Sequence, residues 1–248
     1  MPIMDEVKQS DGRIRISLID LFVWMSCTGL FCAVSQNSFQ LIWQNNFTAI
    51  LLLIPVLLAY PVGLTALFLF GMRRLRRKPT IFQPGHWLLC LQGVAGILYI
   101  VSTLKSLVID SGYFVAFPPE NTSWQFYIPL IEQFVVMIAI VVTGCLLPVR
   151  MIWRSYLVAI CFLYGVTILQ LVLLLSDSNF MLVDFDWFTT AYLAGILFTF
   201  FLLIGLAVYD KLTTDERRDL LHWLGVVVTA QFYIPSFIFL GMNHFGFV

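Results

Sequence analysis

The chain has 248 residues, 60% hydrophobic and 11% charged, with 14 basic and 14 acidic side chains and a mean hydropathy of +0.91. Soluble domains carry about 25% charged and about 45–50% apolar residues, so this much apolar surface excludes an ordinary water-soluble fold. A net charge of zero lacks the basic footprint of a nucleic-acid-binding surface, and nucleic acid is not expected as a partner.

A helix crossing a hydrocarbon core needs about 20 mostly apolar residues. Seven runs qualify: 18–36, 47–71, 86–109, 126–148, 155–175, 188–208 and 220–242. They are too long for barrel strands, and backbone groups in lipid must bond within their own segment, so helices follow. The expected fold is all-α: one polytopic membrane bundle of seven transmembrane helices occupying 1–248.

The first run follows Lys8, Arg13 and Arg15, and Ser17-Leu18-Ile19-Asp20 has the spacing of a capping box with Ser17 as N-cap. Asp20 then suits the positive end of the helix dipole. Ala33-Val34-Ser35 resembles a cleavage site, but Trp24, Phe31 and the long apolar run favour an uncleaved anchor. The second run carries Pro55 and Pro61, which membrane helices tolerate. Beyond it stand Arg73, Arg74, Arg76, Arg77 and Lys78. These cations fit a topology anchor and also an anionic-lipid contact, each contributing about 1 kcal/mol beside an anionic surface.

The third run places Gln92, Gly96, Tyr99, Thr103 and Ser106 on one helical face. Small and hydroxyl residues suit a helix–helix interface; the same face could line a polar cavity, with Gln170 and Gln231 contributing to either. Thr122-Ser123-Trp124-Gln125 caps the fourth run, which contains Pro129 and Glu132. Lys105 and Glu132 are ionisable residues that neither a cap nor a loop explains. Each sits roughly 7–8 Å below its end of the helix at about 1.5 Å per residue. Matched depth makes them a candidate intramembrane charged pair, with Glu132 the candidate proton or cation site. Asp184 and Asp186 precede the sixth run and read as solvated. Thr213-Thr214-Asp215-Glu216 fits a further capping box, so the seventh helix is expected to begin ahead of the membrane. Pro235 should kink it.

With the N-terminus inside, thirteen of the fourteen basic residues fall in inside segments, Lys105 being the exception, and the outside loops hold acids alone. The positive-inside rule therefore supports an N-inside, C-outside, seven-span plan in a cell membrane. The five cysteines lie within apolar runs without a C-x-x-C spacing, which excludes ribbon and redox motifs. His86 and His222 share a depth, each followed by Trp, but bring too few further ligands for zinc. The residue four after His222 is Val226, so the H-x-x-x-H of ceramidase-like membrane hydrolases is missing. No catalytic residue, metal or cofactor is expected. The sequence points first to a non-catalytic component or scaffold of a membrane assembly, with a membrane-protein partner or a second copy beside the lipid bilayer. The alternative is a small-solute or proton-coupled transporter, and an intramembrane enzyme or haem protein ranks third.

Overall fold

The computed structural model describes residues 18–36, 47–76, 82–110, 124–146, 149–175, 185–213 and 218–238. Among them every regular element is helical: α1 (Leu18–Val34), α2 (Phe47–Leu75), α3 (Pro84–Asp110), α4 (Trp124–Leu146), α5 (Met151–Leu175), α6 (Phe185–Thr213) and α7 (Leu220–Gln231). Each helix falls on one of the seven apolar runs. Among the described residues five stretches are long and apolar enough to cross a membrane: Pro84–Lys105, Tyr127–Cys145, Met151–Leu173, Thr190–Thr213 and Leu220–Ile238. The described apolar part of α1, Leu21–Val34, is shorter. Phe22, Phe162, Phe198 and Phe201 face outward and are exposed, which suits a hydrocarbon surround and would be an aggregation liability in water.

The helix α3 is central, packing against α1, α2, α4 and α7. Two glycine contacts make this possible. A Cβ on Gly63 would lie 2.6 Å from the Gly93 backbone nitrogen, so α2 and α3 cross with their backbones touching. A Cβ on Gly225 would collide with the Gly85 carbonyl, and one on Gly85 with the His222 carbonyl. Small residues at such crossings are how membrane helices gain packing without a hydrophobic drive between them. The second crossing brings the starts of α3 and α7 side by side, so these two helices run parallel. Toward this end fall seven of the eight described cations: Arg73, Arg74 and Arg76 at the end of α2, Arg150 and Arg154 at the start of α5, Lys211 in the last turn of α6 and Arg218 just before α7; the eighth, Lys105, is on α3 away from it. This is called the basic end below.

The helix α7 breaks at 232–233 and resumes over 234–238. Pro235 explains the break, because it has no N–H for the Gln231 carbonyl and its ring crowds that turn. The chain tightens instead: Phe232 N–H bonds the Thr229 carbonyl at 3.2 Å and Tyr233 N–H the Ala230 carbonyl at 3.1 Å.

Candidate functional site

At the basic end the first turns of α3 and α7 cap one another. Pro84 occupies the first helical position of α3, where its missing N–H costs nothing. The His86 ring reaches back two-sidedly. Its Nδ1 accepts the Gln83 N–H at 3.1 Å, and its Nε2 lies 2.9 Å from Asp219 Oδ1. The first bond leaves Nδ1 unprotonated, so Nε2 carries the proton and donates it to the carboxylate. Asp219 is extended (φ −81, ψ 169), and the same Oδ1 accepts the His222 N–H at 2.8 Å, which makes it the N-cap of α7. Its own N–H donates to Gln83 Oε1 at 3.1 Å. The His222 Nδ1 accepts the Gly85 N–H at 3.0 Å. One carboxylate thus serves two helix N-termini, whose dipoles both favour a negative charge there. Burial alone raises the Asp219 carboxyl. The His86 hydrogen bond, the His222 N–H and the field of both rings outweigh this and hold it below the ordinary carboxylate value.

Beside this lies a buried ion pair. The helix α6 continues to Thr213, past the expected end at 208, and this carries Asp210 inside the bundle with its side chain 2% exposed. Arg218 clamps it with Nε to Oδ2 at 2.8 Å and an Nη to Oδ1 at 2.7 Å. Arg150 Nη1 approaches Oδ1 at 3.4 Å. The fully buried His222 Nε2 stands 3.8 Å from Asp210 Oδ2, beyond hydrogen-bond reach. Among the described residues no three His, Cys, Asp or Glu side chains are grouped to hold a metal. Both Nδ1 atoms are already engaged by backbone N–H groups.

Above the basic end, α2 through α7 enclose a cavity of about 290 Å³. Its polar lining comes from Tyr60, Tyr156, Tyr164, Tyr192 and Tyr233, with Gln92, Gln133 and Thr229 among the remainder. No Asp, Glu, Lys, Arg or His lines it among the described residues. Tyr156 and Tyr233 share a hydroxyl–hydroxyl bond of 2.9 Å, and the α7 break presents Phe232 and Tyr233 to this space. Thr229 is the exception among buried threonines. Thr65, Thr143 and Thr199 return their hydroxyls to the carbonyl four residues back at 2.7–2.9 Å. The Thr229 hydroxyl, on a residue 4% exposed, has no hydrogen-bond partner among the described residues.

The chain matches no protein-family profile, no curated protein and no solved structure.

The residues singled out in the sequence distribute as follows. Gln92 lines the cavity. Gly96 packs on Tyr60 and Leu64, and Tyr99 stacks on Phe31 with centroids 5.2 Å apart. Thr103 returns its hydroxyl to the Tyr99 carbonyl at 2.8 Å, and the Ser106 side chain lies outside the described ones. Lys105 and Glu132 are half-buried, and no ion pair joins them among the described residues. Arg73 borders a second, apolar cavity; Arg74 and Arg76 are exposed, and Arg77 and Lys78 are outside the described residues, as are Ser17, Thr122 and Ser123. The expected helix start at Thr213–Glu216 is corrected: Arg218 and Asp219 are not helical, and α7 begins at Leu220 because extended Asp219 takes the cap.

Sequence reasoning passed over Asp210, Arg218 and Asp219, having assigned them to a loop. A signal was present. Gln83-Pro84-Gly85-His86-Trp87-Leu88 and Asp219-Leu220-Leu221-His222-Trp223-Leu224 both place a side chain that bonds across the α3–α7 seam three residues before His-Trp-Leu.

Proposed function

We propose that the chain is a seven-span membrane protein, N-terminus inside, that binds a small, neutral, largely apolar solute in the central cavity as part of its transport or sensing. The observation that carries this is the cavity itself, apolar-walled and ringed by tyrosines, with no charged side chain among its described lining residues. Buried polar groups are ordinarily hydrogen-bonded, so the tyrosine hydroxyls and the Gln92 and Gln133 amides of the lining suit a carbonyl, ether or hydroxyl on a ligand. The apolar walls suit the rest of it, as in small-molecule sites generally, where a few polar groups orient a mostly apolar ligand. Absence of charge from the described lining residues disfavours an ionic substrate, which would be desolvated without compensation. A purely structural component of a membrane assembly has no need of such a space.

Extraction of the detergent-purified protein with organic solvent, followed by mass spectrometry, tests the reading. A neutral compound should accompany the wild type and be lost from Ala95→Phe, which fills the cavity. A wild type carrying nothing that Ala95→Phe lacks would overturn it. Topology is checked separately with reporter fusions. Positions 73–78, 150–154 and 211–218 should report from the cytoplasm, and 110–125 and 176–187 from outside; a cytoplasmic C-terminus would refute the seven-span plan.

A further inference from the structure

A second cavity of about 280 Å³ lies between α1, α2, α3 and α7 toward the basic end. Its walls are almost wholly apolar, with Trp24 from α1, Val62, Ala66 and Phe70 from α2, Leu89 from α3 and Leu224 from α7. Thr65, its hydroxyl-bearing residue, turns that group into the Pro61 carbonyl at 2.8 Å and offers nothing to a ligand. Arg73 is the charged residue of the lining and stands at its basic end. From Val62 to Arg73 the groove follows α2 for about 16 Å at 1.5 Å per residue. It is therefore apolar along its length and cationic at one end.

We propose that this groove holds one acyl chain of an anionic phospholipid whose phosphate is bound by the Arg73 guanidinium. The head-to-tail polarity of the groove matches that of a phospholipid lying with its headgroup at the basic end. Guanidinium is the side chain best shaped for phosphate, through paired charge-assisted hydrogen bonds. A free phosphate would satisfy Arg73 but leave the apolar walls uncovered. A zwitterionic lipid would cover the walls but bring no net charge to a region where Arg74 and Arg76 stand exposed beside Arg73. The site rests on the membrane reading and is independent of the central cavity, since Ala66 and Arg73 do not line the latter.

The test uses the full chain in nanodiscs of dioleoyl-phosphatidylcholine with a minor share of dioleoyl-phosphatidylglycerol, then native mass spectrometry after transfer to detergent. One phosphatidylglycerol per chain should be retained and phosphatidylcholine lost. Arg73→Gln should lower the retained fraction about tenfold, the loss of one charged hydrogen-bonded contact. Ala66→Phe, which fills the groove, should lower it similarly, and Arg73→Lys, which keeps the charge and guards against a folding defect, should hold an intermediate fraction. Arg74→Gln, exposed and outside the groove, should change little. Equal losses from Arg73→Gln and Arg74→Gln would mean diffuse surface attraction and overturn the site. Equal retention of both lipids, or of neither, would overturn it too.

Discussion

Replacement of Asp219 by alanine tests the linkage between α3 and α7 most directly. Two bonds end on Asp219 Oδ1, from the His222 N–H at 2.8 Å and from His86 Nε2 at 2.9 Å. Loss of an N-cap side chain costs about 1 kcal/mol. His86 is fully buried, so its Nε2–H would be left without a partner, at a further cost of about 1–3 kcal/mol. The expected loss is therefore about 2–4 kcal/mol. Asp219→Asn keeps an acceptor oxygen in the same place and forfeits only the charge assistance, so it should cost clearly less. Reversible unfolding in mixed micelles at neutral pH, driven by a denaturing detergent, measures both. An alanine variant within 0.5 kcal/mol of wild type, or an asparagine variant as damaged as alanine, would refute the capping argument, taking about 0.5 kcal/mol as the scatter of neutral surface substitutions. The pH dependence has a definite sign. The folded carboxyl sits below its unfolded value of about 3.9. Its contribution is thus fully present above that value and is lost as pH falls through the lower folded one.

Three further outcomes follow from the same geometry. Asp210→Asn removes the carboxylate charge that Arg218, 6% exposed, clamps, and should destabilise the protein by about 3–5 kcal/mol. The double change Asp210→Leu with Arg218→Met should recover most of that in the same unfolding assay. Gly225→Ala should cost about 1–3 kcal/mol by forcing the α3–α7 crossing apart. Gly205→Ala, where an added Cβ meets nothing within 4 Å, should be neutral or stabilising on helix propensity, and a thermal unfolding scan separates the two. Tyr156→Phe and Tyr233→Phe should each cost about 0.5–1.5 kcal/mol, and a double-mutant cycle should show that the costs do not add.

The positions of the helices were legible because lipid imposes one rule, a long apolar run with its backbone bonded internally. The break near Pro235 was legible for a similarly local reason. The end of α6 was not. Asp210 is charged, and a charge after an apolar run reads as the onset of a loop, yet its partner Arg218 lies eight residues on and lets the helix keep it inside. The cap of α7 was misplaced because Thr213-Thr214-Asp215-Glu216 has ideal local spacing, while Asp219 is selected by contacts with α3. Those contacts join residues 133 to 137 positions apart, and no periodicity within either helix encodes them. The expected match in depth of Lys105 and Glu132 rests on residue counting along each helix, and depth fixes only one coordinate. The rotation of each helix fixes the other, and periodicity along a single helix does not supply it.

The bonds between α3 and α7 also set an order on assembly. A chain emerging from the ribosome makes α3 long before α7, so Gly85 N–H and the His86 ring wait for partners across more than a hundred residues of synthesis. The α2–α3 crossing at Gly63 and Gly93 needs only neighbouring helices and can form at once. Completion of the bundle is therefore gated by the arrival of the segment around Asp219–Gly225. That segment simultaneously caps two helices, seats Thr229 against the cavity and supplies the groove wall at Leu224. A nascent chain halted before it holds an open-sided bundle with unsatisfied polar groups at its basic end, the kind of exposed feature that membrane quality control can recognise.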